Sequence, residues 1–186
     1  MRLKSALRRG VAAAVIAGIV VSSGIPAYAG RWNIAEGDIT VKGASGESGN
    51  YNEVKQGDKG FEKDEGETVI TGKSEEHTVT IDTSKGNVDV TFDDLKIDVS
   101  DKVEVDGSGD GPIDESKAAV TVKGGNDATI ELDGKNELKS GSGNAGLEKN
   151  EHESKGTLTI KDDKGKDGSL TAEGGDGGAG IGGGKE

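Results

Sequence analysis

The chain contains no cysteine. A disulfide framework and a lipid-modified thiol are both excluded, so whatever fold forms is held by packing and backbone pairing alone. Aromatics are nearly as scarce, with one Trp, two Tyr and two Phe. Beyond residue 29 they reduce to Trp32, Tyr51, Phe61 and Phe92. A core must then be built from Val, Ile, Leu and Ala, which suits thin layers of stacked strands. Arginine is rarer still, because Arg31 is the only one after residue 29. A strand-borne arginine base of the lyase kind has no candidate. Long apolar runs are missing too: the longest spans the eleven residues from Val11 to Val21. As a helix it rises about 16 Å, against roughly 30 Å of membrane hydrocarbon.

That run has a different meaning in its context. Arg2, Lys4, Arg8 and Arg9 precede it, a turn-prone stretch with Ser22, Ser23, Gly24 and Pro26 follows, and Ala27-Tyr28-Ala29 places small side chains where a signal peptidase requires them. Residues 1–29 read as a secretory signal cleaved before Gly30, and the protein as secreted, extracellular or attached to the cell surface. No membrane span is expected in the mature chain. The remaining 157 residues hold 19 basic and 35 acidic side chains, net −16. Such a surface repels nucleic acid and anionic membranes and attracts cations or basic partners.

From Thr68 onward apolar residues come in short alternating groups separated by Gly, Asn, Asp, Lys and Ser, the period of strands. One anchor from each later group gives positions 130, 138, 147, 158, 170 and 181, with steps of 8, 9, 11, 12 and 11. Each group buries two or three side chains and must stack on its neighbours to make a continuous core. The spacing fits an antiparallel β-sandwich as well as a solenoid, and Asp106-Gly107, Asp133-Gly134 and Asp167-Gly168 are hairpin signals. The run 141–146 and the run 174–184 instead look like rungs of small residues where backbone passes close to backbone. The reading is therefore an all-β right-handed parallel β-helix, with the antiparallel sandwich as alternative. In that coil Val120, Ile130, Leu158 and Leu170 stack in parallel, and Thr121, Thr129, Thr157, Thr159 and Thr171 face outward. Three segments follow: the signal (1–29), an N-terminal cap and loop-rich segment (30–67, loop expected from Ser45 to Gly66), and the rungs (68–186).

A resemblance rests on Trp32-Asn33-Ile34, Val79-Thr80-Ile81, Ala118-Ala119-Val120, the segments 37–41, 69–72, 95–99, 130–136, 145–149 and 156–160, and above all the end, 168–172 followed by 174–184. In these motifs, over nearly the whole mature chain, the sequence resembles the exported β-helix surface proteins of Gram-positive bacteria that carry carbohydrate-binding domains. The resemblance implies a surface module that adheres to polysaccharide, often as the first part of a much longer chain. The chain departs from that pattern by stopping at Glu186, and truncation of the rungs there is one reading.

The chemistry read from the residues is sparse, and the chain is expected to be no enzyme. His77 and His152 sit among charges as solvated loop residues would, and the pairs Asp93-Asp94 and Asp162-Asp163 point to opposite faces if they lie on strands. Gly175, Gly177 and Gly180 match a nucleotide-loop pattern by chance, because no helix-forming segment follows. A calcium-binding nonapeptide reading of the same run lacks its ligand at Ala179. The best cation candidate is the stretch with Asp106, Ser108, Asp110 and Asp114 at loop positions 1, 3, 5 and 9 and Gly111 at 6. Lys117 stands where a calcium loop has its bidentate Glu and no helices flank the stretch, so a polar turn is the favoured reading. Sugars stack on aromatics, which nominates Trp32 and Tyr51, although Trp32 serves equally as a core residue capping the N-terminal end.

The function expected is a non-catalytic polysaccharide-binding or adhesion module, with a purely structural stalk or spacer as its rival. Calcium is the one cofactor considered, as a bridge between the acidic surface and an acidic polysaccharide. The end around Ile181 is expected to be the least protected strand, a contact for self-association or for a downstream domain, with salt and divalent cations promoting association.

Overall fold

Alternation of apolar and polar side chains leaves each segment one face to bury, and parallel strands satisfy this by laying like residues over like. A computed structural model describes residues 30–46, 49–64, 66–100, 104–105, 112–113, 116–149, 155–165 and 167–184, and these form an all-β protein. The leader, the four residues of the candidate calcium loop, and His152 lie outside the described residues.

The chain makes five passes, each running first through one sheet (A) and then through a second (B). The first pass is β1 (Arg31–Asn33), a 3-10 turn (Ile34–Glu36) and β2 (Ile39–Gly46), followed by two extra strands, β3 (Gly49–Gln56) and β4 (Glu62–Asp64). The second is β5 (Thr68–Ser74) and β6 (Val79–Asp82). The third is the long β7 (Val88–Asp98) and, after a small antiparallel ladder of β8 (Glu104–Val105) and β9 (Pro112–Ile113), β10 (Val120–Lys123). The fourth comprises β11 (Ala128–Asp133), β12 (Lys135–Lys139) and β13 (Leu147–Glu148). The fifth comprises β14 (Leu158–Lys161), β15 (Ser169–Glu173) and β16 (Ile181–Gly182). Sheet A is parallel throughout. Sheet B is mixed: β16, β13, β10, β6 and β2 run parallel, and β3 and β4 add antiparallel strands at one edge.

Register puts aliphatic on aliphatic. Trp32, Ile70, Phe92 and Leu132 form one column in sheet A, and Ile39, Val79, Val120, Leu147 and Ile181 form one in sheet B. Most of these side chains are fully buried, and the core lies between the two sheets. Hydrogen bonds between successive early passes join residues 40 to 43 apart in sequence, whereas those to the last pass join residues 30 to 35 apart. The anchor spacing of eight to twelve residues is thus the step from one strand to the next along the chain, not from one pass to the pass stacked on it. This corrects one expectation. Val120, Ile130, Leu158 and Leu170 do not share a column: Ile130 lies on Ile160, Leu158 on Ala128 and Leu170 on Asn136. Thr129 pairs with Thr159 in parallel, not in a hairpin.

Two further expectations are revised. The stretch 45–66 carries β3 and β4 where loop was expected. Asp133-Gly134 is no hairpin turn but a corner between β11 and β12, with Gly134 at φ 63°. Gly72 and Asp94 take left-handed conformations at the same corner of the second and third passes, at φ 94° and 50°. The glycine-rich end behaves as read: a methyl on Gly175 would stand 2.1 Å from the Gly141 carbonyl oxygen, and one on Gly178 2.0 Å from that of Asn144. Only glycine allows the last pass to lie this close to the fourth. Among the described residues no helix is long and apolar enough to cross a membrane.

Candidate functional site

The outward positions of sheet A build a surface by the same register that builds the core. Asp89, Thr129 and Thr159 form one column and Thr91, Glu131 and Lys161 the next, crossing β7, β11 and β14. Together they floor a groove of about 560 Å³. One wall comes from β3, whose Asn50, Tyr51 and Asn52 line the groove. Asn52 fixes that wall by donating to Thr68 Oγ1 at 2.8 Å and to the Asp89 carbonyl at 2.7 Å. The Lys63 ammonium stands 4.4 Å from the Tyr51 ring centre and holds the ring by a cation–π contact. An aromatic residue held by Lys63 thus belongs to the lining of a polar groove.

The opposite side is closed by the loop after β14. Its Lys164 reaches back to Glu67, 97 residues earlier, whose carboxylate also accepts from the Thr91 hydroxyl. Burial pushes the Glu67 carboxyl upward, but the hydrogen bonds from Lys164 and Thr91 and the charge of Lys164 outweigh it and hold it below the ordinary value. Glu131 is 4% exposed. Its Oε1 accepts from the backbone N–H groups of Asp163 and Lys164, both at 2.7 Å. Its Oε2 has no hydrogen bond, and the Lys161 ammonium is 3.6 Å away.

Of the residues nominated from sequence, Tyr51 lines this groove and Trp32 does not. Trp32 heads the sheet A column, packs on the core, and donates its indole N–H to Asp64 Oδ2 at 3.2 Å. That is the capping role. His77 is partly buried, its Nδ1 3.8 Å from Asp38 Oδ1. Asp93 and Asp94 are separated by the corner: Asp93 pairs with Arg31, and Asp94 accepts from the Lys135 N–H at 2.9 Å. The floor residues Glu131 and Lys161 and the closing Glu67 and Lys164 were not singled out from sequence. The alternation Thr129-Ile130-Glu131 and Thr159-Ile160-Lys161 was the signal available for the floor, because every inward aliphatic there leaves a polar neighbour facing out. No signal marked Glu67 and Lys164 as partners. No family model, curated protein or solved structure matches this chain.

Proposed function

We propose that the chain is a right-handed parallel β-helix of the exported surface type it resembles, and that it serves as a non-catalytic polysaccharide-binding or adhesion module. The observation that carries the reading is the groove on sheet A, with Tyr51 in its lining and a polar floor of ordered Thr, Glu, Asp and Lys side chains. An aromatic face beside fixed hydrogen-bonding groups is what a sugar ring needs. The five parallel passes support the coil, and the leader-like residues 1–29 support export.

The test is retention of the protein on immobilised plant and host polysaccharides, with Tyr51→Ala alongside. Retention that weakens at least about tenfold on Tyr51→Ala is expected, the loss of one good contact of roughly 1.4 kcal/mol. No reducing sugar should be released. Absence of retention on every glycan would leave the second reading, a structural stalk or spacer. The half-buried apolar side chains of the fifth pass favour that second reading, because they offer a surface on which further chain can stack.

A further inference from the structure

Resting on the groove as the binding site, we propose that its ligand is a neutral glycan and that Glu131 Oε2 accepts a hydroxyl from it. Among the described residues Glu131 Oε2 is the buried side-chain polar atom without a hydrogen bond. Such atoms are rare because each forfeits the solvation it had in water. The rest of Glu131 is firmly fixed, with Oε1 between two backbone N–H groups at 2.7 Å. That oxygen is closed off from solvent beside the Lys161 ammonium, and it becomes an acceptor for a ligand once Lys161 moves aside.

The surroundings choose the donor. The Lys161 ammonium at 3.6 Å already supplies a positive charge beside Oε2 without hydrogen-bonding to it. A ligand cation there would meet like charge, whereas a hydroxyl would not. Lys161 also has a second carboxylate, Asp163, at 3.0 Å, and its side chain is 39% exposed. It can swing toward Asp163 and admit a hydroxyl to Oε2 while keeping a partner. An anionic glycan is disfavoured for the opposite reason. The groove is lined by three carboxylates, Glu67, Asp89 and Glu131, against two lysines, and both lysines are already paired. Among the described residues a uronate would find no free cation there, and it would approach a chain with excess negative charge. For this groove the proposal differs from the expectation of an acidic polysaccharide bridged by calcium.

The test compares the full chain, Glu131→Gln and Tyr51→Ala by affinity electrophoresis in gels of galactomannan, xyloglucan, dextran and polygalacturonate, with EDTA throughout. Glutamine keeps an oxygen for the two backbone donors and turns the free acceptor into an NH2 donor. The wild type should be retarded by at least one neutral gel and not by polygalacturonate. Glu131→Gln should weaken that retardation about tenfold or more, as loss of a hydrogen bond to a charged acceptor does. Its thermal midpoint and circular dichroism should stay native. Neutral binding lost on Tyr51→Ala but unchanged by Glu131→Gln would overturn the role of Glu131 and leave the groove reading standing. Preferential binding to polygalacturonate that is lost on Tyr51→Ala would overturn the neutral class alone. No retardation in any gel, or retardation indifferent to both substitutions, would remove the groove reading and this inference with it.

Discussion

The two ends of the stack are finished in different ways. At the first pass Trp32 covers Ile70, and Asp64 ties down the covering chain. Asp64, 5% exposed, accepts from the Gly30 and Gly66 N–H groups, the Trp32 indole and the Thr68 hydroxyl. The antiparallel β3 and β4 then extend sheet B at that edge. At the fifth pass nothing comparable is present among the described residues. Leu158, Ile160, Leu170 and Ala172 are only half-buried against the core, and Ile181 is 51% exposed. A stack of passes buries its core by neighbour contacts, so the interior passes have two neighbours and an uncapped end has one. Among the described residues the first pass has a cap of one aromatic and one carboxylate, and the fifth has none.

The largest expected effect comes from removing a side chain that has neighbours on both sides. Phe92 is fully buried between Ile70 and Leu132 in register. Phe92→Ala should cost about 3–5 kcal/mol, and Leu170→Ala in the half-buried last pass about 1–2 kcal/mol, by urea denaturation at neutral pH. Equal losses would mean that the last pass is packed as tightly as the third. Next is the cap. Asp64→Ala removes a buried acceptor of four hydrogen bonds and should cost about 2–3 kcal/mol. Because Trp32 is the only tryptophan, its fluorescence should shift to the red in this variant at temperatures where the bulk of the strands persists. An unshifted spectrum would mean that the indole is held by packing alone.

These contrasts also mark what could be read from the residues alone. The alternation of Val79/Ile81, Val88/Val90/Phe92 and Val120/Val122 identified strands, because burying one face of a strand leaves a period of two in the chain. The close-approach role of Gly175 and Gly178 was readable because no other residue fits where two backbones touch. The grouping of anchors into passes was not. A step of about ten residues is the same whether the next strand is the next side of one turn or the next turn itself, and only pairing decides. The β3–β4 extension was missed because Gly49–Gln56 is polar on both faces, so the hydrophobic period that announces a strand is absent there. Tyr51 was legible as a candidate by its rarity. Glu67 with Lys164 was not, since 97 residues separate the partners and local pattern carries no trace of such a contact.

A smaller effect tests the electrostatics along the corner. Near the capped end Asp93 is paired with Arg31, the only arginine of the described chain. One pass further on, burial first and then the neighbouring charges of Asp93, Asp167 and Asp94 raise the Asp133 carboxyl above its ordinary value. A folded-state value above the unfolded one means that ionised Asp133 opposes folding. The cost is fully present above the folded value and vanishes as pH falls below the unfolded one. Asp133→Asn should therefore stabilise the protein at pH 7, and the gain should fade through the carboxylate range on acidification. Because the group is largely solvated, the gain stays under about 1 kcal/mol. Thermal midpoints of both proteins between neutral and acidic pH give the comparison, and a gain that grows on acidification would reverse the assigned sign.

The smallest expected effect on global stability falls at the fifth pass. Ile181 ends the sheet B column that runs from Ile39 through Val79, Val120 and Leu147, and β16 ends the sheet. With about half of its surface in water, Ile181 returns little of the burial energy that Val79 or Val120 contributes. Ile181→Ser should shift the urea midpoint by less than about 0.5 kcal/mol equivalent, the range of ordinary surface substitutions. Local stability, however, follows position in the stack, because a terminal strand opens without disturbing the passes beneath it. Amide exchange should accordingly rise from β10 to β13 to β16, and Ile181→Ser should quicken it in β16 and slightly in β13 while leaving β6 unchanged. Added salt screens the net negative charge and favours contact between bare ends, so at high protein concentration it should slow exchange in β16 selectively. Protection in β16 equal to that in β10 in dilute, low-salt protein would mean that this end is as well finished as the other, and the contrast between them would fall.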